Sequence, residues 1–247
     1  MDFNVPAHKQ KEVLDSALMG TTDISVDGDH HNVIICAQKK SASTFLLNFL
    51  GESLSYEVFG IGFDRGGGHL YYPRALAAKF QDNPTVSRCH EPAHWYTVDI
   101  LDALNFDVIV LTRNLLDAIV SLCDHYSNYD CEYGVSEEMI SSKSFGEFKN
   151  SNRQKKISII IDTCARDYIN FYMSWRDKVV KDRLNVSYVR YKEVSEKPEK
   201  VLKNLNTKKA KKSEPKKIIS EGRANYNKGV KGRGNDISEK TYKRYRK

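Results

Sequence analysis

The sequence predicts an α/β protein with three layers, a mostly parallel central sheet flanked by helices. Three observations carry that expectation. Compact apolar, β-branched runs alternate with segments whose apolar residues recur at helical spacing, the pattern of parallel strands joined by covering helices. Two of the runs, "NVIICA" (32–37) and "FDVIVLT" (106–112), are apolar nearly throughout, as strands buried on both faces must be. The chain has 247 residues, 40% of them hydrophobic, enough to bury one such sheet in a single domain spanning 1–247.

Each element has its own warrant. Residues 1–30 read as a lead-in, with a short amphipathic helix and a polar stretch. "NVIICA" is the first buried strand, and "STFLLNFLGESL" (43–54) follows it directly as a helix. "YEVFGIG" is a weaker strand. "FDRGGGHLYYP" (63–73), with three consecutive glycines, is a loop, and "ALAAKF" is a brief helix. "TVSRC" (85–89) is a short strand that ends at the polar "HEPAHWY". "FDVIVLT" is the clearest strand and "NLLDAIVSLCDHY" (114–126) a clear helix. Further helix is expected in "SFGEFK" and in "ISIIIDTCARDYINFYMSWRDKVV". "NVSYVRY" (185–191) is the last strand, and "KPEKVLKNL" opens a helix with Pro198 in its first turn. Residues 206–226 are lysine-rich and polar and read as a solvated or mobile linker, and "DISEKTYKRY" closes as a helix that Ser238 can begin.

Charge is unevenly distributed. The net charge is +7, yet residues 200–247 carry 17 Lys/Arg against 4 Asp/Glu, while residues 1–199 carry 22 against 28. A basic tail of this kind suits nucleic acid, an anionic membrane or a strongly anionic small molecule. No aromatic-interleaved basic motif favours nucleic acid, which is not expected as a partner. No apolar run approaches the roughly 18 residues of a membrane span, and no basic-then-apolar leader opens the chain, so a cytoplasmic location is expected. The five cysteines, Cys36, Cys89, Cys123, Cys131 and Cys164, are widely spaced with no CxxC pair, which suggests neither disulfides nor a zinc site.

In parallel sheets ligands bind beyond the carboxyl ends of strands. Three segments put polar and charged residues there: 38–45, 89–95 and 113–121. The first begins like a phosphate-binding loop. Lys40-Ser41 supply the last two letters of G-x-x-x-x-G-K-S/T, but the glycine positions hold Ile34 and Lys39. The strand ending Thr112-Arg113 also offers no Asp to organise magnesium. A P-loop kinase or nucleotide hydrolase is therefore the weaker alternative, and a basic nucleic-acid-binding protein a second. The loop retains what an anion site requires: a helix N-terminus, the Lys40 cation, and the hydroxyls of Ser41, Ser43 and Thr44.

Taken with the other two segments, the chain resembles sulfotransferases that use 3′-phosphoadenosine 5′-phosphosulfate (PAPS) and release 3′,5′-bisphosphoadenosine (PAP). The family's 5′-phosphosulfate loop, P-K-S-G-T-T-W, is matched by Lys39-Lys40-Ser41-Ala42-Ser43-Thr44-Phe45, with Ala42 in place of glycine. Its 3′-phosphate motif is matched by Arg113, Asn114, Asp117 and Ser121. Its T-H-x-P segment is matched by His90-Glu91-Pro92, 23 residues before Arg113. "VSYVRYKEV" places Tyr191 at the tyrosine that contacts adenine. "NKGVKGRGN" (227–235) is similar to the late R-K-G-x-x-G loop through Lys228, Gly229 and Gly232; Asn227 replaces its arginine, with Lys231 or Arg233 as substitutes.

The resemblance implies a P-loop-like fold and sulfuryl transfer from PAPS to a hydroxyl-bearing acceptor, a small molecule or a glycan, without a metal. Residues 40–45 would hold the phosphosulfate. Arg113, Ser121, Lys228 and Gly229 would hold the 3′-phosphate, and Phe45 and Tyr191 would flank adenine. His90 would be the general base, with Glu91 a rival and His94 a weaker one. Lys40 would also offset charge on the leaving oxygen. Arg65, His69, Tyr71 and Tyr72 would lie on the acceptor side.

Overall fold

The computed structural model describes residues 32–60, 84–103, 105–128, 142–203, 205, 232–239 and 241–242. Five parallel strands form one sheet in the order β2-β3-β1-β4-β5: β1 is Asn32–Ala37, β2 Glu57–Gly60, β3 Thr85–Cys89, β4 Phe106–Thr112 and β5 Val186–Arg190. The helices are α1 Ser43–Leu54, α2 Trp95–Ala103, α3 Leu115–Asn128, α4 Ser142–Asn150, α5 Arg153–Ser174, α6 Lys178–Arg183, α7 Tyr191–Glu196 and α8 Glu199–Lys203, and a 3₁₀ turn spans Arg233–Asp236. No described helix is long and apolar enough to cross a membrane.

Side chains of successive strand residues point to opposite faces, and here both faces are covered. Val33, Ile35 and Ala37 of β1 pack with Ile109 and Leu111 against α1, α7 and α8. Ile34 and Cys36 pack with Val108 and Val110 against α2, α6 and the end of α5. A third apolar cluster joins α3, α4 and α5 and includes Ile237 from the C-terminal segment. The three-layer expectation holds, and all five described strands are parallel.

Two boundaries differ from the sequence reading. Helix α2 begins at Trp95, inside the stretch read as polar loop, because Val98, Ile100 and Leu101 give it a buried face. The last strand ends at Arg190, and Tyr191 opens α7, because the Glu193 carboxylate turns back to accept the Arg190 N–H at 2.6 Å and starts the helix there. Residues 1–30, 63–73 and 206–226, and the expected "ALAAKF" helix, lie outside the described residues.

The register places the working ends of three strands side by side. Cys36 pairs with Cys89, and Ala37 with Leu111, so the loops after β1, β3 and β4 emerge together. The chain leaves β1 for β2 and β3 on one side and for β4 and β5 on the other. The crevice beyond β1 is therefore the switch point where such sheets take ligands. Trp175 fixes one wall of it. Its ring is fully buried against Phe171, and its Nε1 donates to the Glu91 carbonyl at 3.0 Å. Trp175→Ala should lower unfolding free energy by about 3–5 kcal/mol, measured by urea denaturation.

Candidate functional site

The site is built on the backbone of residues 38–42. Three successive carbonyls are turned into the protein. That of Gln38 accepts the Ser41 hydroxyl at 2.5 Å, that of Lys39 the Tyr168 hydroxyl at 3.1 Å, and that of Lys40 the Arg113 guanidinium at 2.9 Å. The Gln38 side chain ties the same partners together. Its Oε1 accepts the Arg113 N–H at 3.0 Å and its Nε2 donates to the Tyr168 carbonyl at 3.3 Å. Among the described residues no acceptor meets the N–H groups of residues 40–45, so they are available at the start of α1. Such a row of amides at a helix N-terminus binds anions.

The turn requires two left-handed residues, Lys40 at φ 65° and Ala42 at φ 71°. Glycine is the usual occupant of that region, and a side chain costs about 1–2 kcal/mol there. Ala42 adopts it nonetheless, so the loop takes the shape without the glycine. The hydroxyls divide between two tasks. That of Ser41, fully buried, is committed to the loop itself. Those of Ser43 and Thr44 both accept from Arg88 Nη1, the former at 3.4 Å.

The sequence alone does not single out Arg88. A charged residue in the short strand "TVSRC" reads as a solvent-facing position, and the available signal was its place two residues before His90, at a strand end. Arg113 stands at the end of β4 with its guanidinium 4.2 Å from the centroid of the buried Tyr191 ring. Phe45 is half-buried and stacks on Phe49 at 6.2 Å. Asn114 is the cap of α3, its side chain accepting the N–H groups of Leu116 and Asp117 at 3.1 and 3.2 Å. Ser121 lies on α3 at 2% exposure. Arg233 comes from the C-terminal 3₁₀ turn and pairs with Asp124 at 3.1 Å.

His90 follows β3. Its Nδ1 lies 2.7 Å from the Ala37 carbonyl. A carbonyl can only accept, so Nδ1 carries the proton and Nε2 is the basic nitrogen. Burial pushes the imidazole down to about 4, and the charges of Lys39, Arg88 and Lys40 add to this against the opposing hydrogen bond. The ring is neutral at pH 7. Glu91 is half-buried beside it and His94 is exposed. Lys228, Gly229 and Lys231, together with Arg65, His69, Tyr71 and Tyr72, lie outside the described residues.

The electrostatics are those of a cation cluster. Lys40 is pushed down to about 8, first by burial and then by Arg233, Arg113 and Arg88. Among the described residues no group of three His, Cys, Asp or Glu side chains is placed to hold a metal ion.

No family model matches the chain, and no curated protein matches it by sequence. Among solved structures, a crystal structure of mouse sulfotransferase SULT7A1 complexed with PAP matches with a TM-score of 0.51 and 14% identity, over 94% of this chain and 86% of that one. The likeness establishes a shared α/β fold.

Two outcomes follow from the loop. Ala42→Gly should raise stability by about 0.5–1 kcal/mol in thermal or urea unfolding, the left-handed strain relieved less the entropy of a freer unfolded chain. Affinity for inorganic sulfate, whose own charge is constant near neutrality, should fall as pH rises through about 8 and Lys40 loses its proton. Lys40→Met should bind sulfate more weakly and with a flat profile from pH 7 to 9, read by NMR titration.

Proposed function

We propose that the protein transfers a sulfuryl group from PAPS to a hydroxyl-bearing acceptor, a small molecule or a glycan. The observation that carries this is the meeting, beyond β1, of a free amide row ringed by cations and a neutral histidine with a fixed tautomer. The residues fit a polyanionic donor. Lys40 is lowered first by burial and further by the positive charges of Arg233, Arg113 and Arg88, and a bound polyanion would offset that added repulsion.

In this reading the amides of 40–45 hold the 5′-phosphosulfate end, with Lys40, Ser43 and Thr44 around it. Ser41 and Ala42 shape the loop, and Arg88 supports it through the two hydroxyls. Arg113 and Ser121, with Lys228 and Gly229, hold the 3′-phosphate. Phe45 and Tyr191 are the aromatic neighbours of adenine, Tyr191 also backing the Arg113 guanidinium. When bound, the donor supplies an activated sulfuryl group with a bisphosphate leaving group. The protein supplies alignment and charge.

His90 Nε2 takes the proton of the acceptor hydroxyl. Its low proton affinity keeps it deprotonated, and an anionic donor beside it counters the cations that depress it, strengthening the base when the site is filled. Glu91 is the second candidate. Lys40, charged once the anion is in place, offsets negative charge on the oxygen that leaves with PAP.

The direct test is transfer from labelled PAPS to a panel of phenols, alcohols and sugars. His90→Ala should lower turnover by about 10²-fold or more while PAP affinity, read by calorimetry, stays unchanged. Full activity in both His90→Ala and Glu91→Ala would remove the assigned base. Arg113→Ala should weaken PAP by more than about tenfold, the value of a hydrogen bond to a charged group. PAP binding without turnover on any acceptor would mark a binding protein, and no binding at high protein concentration would overturn the assignment of the donor.

A further inference from the structure

Asp117 is the acidic residue of the 3′-phosphate motif, and a carboxylate there would repel a phosphate. The structure gives it another task. Its Oδ1 accepts the Gly234 N–H at 2.7 Å and its Oδ2 the Gly232 N–H at 3.3 Å. The carboxylate is thus turned to the backbone of the C-terminal segment, more than a hundred residues away in sequence. Gly232 makes the approach with φ 74°, and Gly234 lies so close to α3 that a Cβ there would meet Leu116 Cβ at 2.8 Å and Asp117 Oδ1 at 3.3 Å.

The rest of the segment is fastened to the same helices. Arg153 bridges Asp124 at 3.2 Å and Asp236 at 3.0 Å, Gln154 donates to the Asp236 carbonyl at 2.7 Å and accepts from the Ser238 N–H at 3.0 Å, and Ile237 joins the α3–α5 core. Between the two glycines held by Asp117 stands Arg233. Its side chain is 11% exposed, it pairs with Asp124, and its charge is felt at both Lys40 and Arg113. The late loop carries Asn227 where the resembling family has arginine, so a cation is needed from elsewhere in that loop.

We infer that Asp117 is a positioning residue that seats the C-terminal segment so that Arg233 completes the cation cluster on the 3′-phosphate side of the donor site. This rests on the proposed reading of that site. The chemistry is a division of labour along two turns of α3. Asp117 fixes backbone, Asp124 orients the guanidinium, and Arg233 meets the second phosphate.

The test compares PAP, which has the 3′-phosphate, with adenosine 5′-phosphosulfate, which lacks it, by calorimetry. Arg233→Ala, Asp117→Ala and Gly234→Ala should each weaken PAP about tenfold or more and adenosine 5′-phosphosulfate less than about twofold. The double variant Asp117→Ala/Arg233→Ala should be no worse than Arg233→Ala alone within about threefold, because one residue acts through the other. Equal losses for both ligands, or additive losses, would overturn the proposal. Amide hydrogen exchange of the ligand-free protein supplies an independent arm. Asp117→Ala should deprotect Gly232 and Gly234 while residues 118–123 of α3 stay protected; continued protection of the two glycines defeats the inference. If the wild type bound neither nucleotide, the functional reading would fail, and the exchange result would still decide whether Asp117 seats the segment.

Discussion

The contact between the Arg113 guanidinium and the Lys40 carbonyl, 2.9 Å long, joins the ends of two central strands, and much of the site depends on it. With the Tyr168 hydroxyl and the Gln38 side chain it fixes which way the peptide planes of the first loop face. A peptide whose carbonyl points inward presents its N–H outward, so pinning carbonyls is the way to aim amides. The strain of two left-handed residues without glycine is held in place by the same bonds. Arg113 is itself held over the Tyr191 ring, so its orientation is set by folding and not by a ligand.

Placing several cations around an amide row puts the site under electrostatic tension. That tension shows in Lys40 and in His90, both depressed by burial and by neighbouring positive charge. The two effects have different consequences. The lysine is left near the edge of its charged state, so a bound anion restores its proton. The histidine is left neutral with Nδ1 occupied by the Ala37 carbonyl, and one nitrogen alone is free to accept. Two strands therefore set the state of this ring: β1 supplies the carbonyl that selects the tautomer, and the residue after β3 supplies the ring.

The frame was legible wherever burial dominates composition. Strands β1 and β4 are apolar on both faces, and α3 has a clear apolar stripe, so pattern alone located them. Helix α2 was not legible because the stretch that leads into it, "HEPAHW", is polar and aromatic and its apolar face covers few turns. The convergence of segments 38–45, 89–95 and 113–121 followed from parallel topology, and the register confirms it. Individual roles were harder to read. Asn114 caps a helix and Asp117 binds backbone, two tasks that depend on partners local in one case and distant in the other. Arg88 was invisible because its partners, Ser43 and Thr44, open the helix that follows another strand.

The docking of the C-terminal segment on α3 and α5 also orders events in time. Lys40 and Arg233 are separated by 193 positions, the widest span that the cation cluster bridges. The sheet and its helices can pair from residues made earlier, since α3 and α5 meet through their own apolar faces. The salt bridges and glycine contacts of residues 232–238 form only when that stretch too has left the ribosome. A nascent chain that already holds its sheet therefore passes through a stage with three of the four cations. A ligand that reads all four cations would distinguish a chain with residues 232–238 docked from one without that contact.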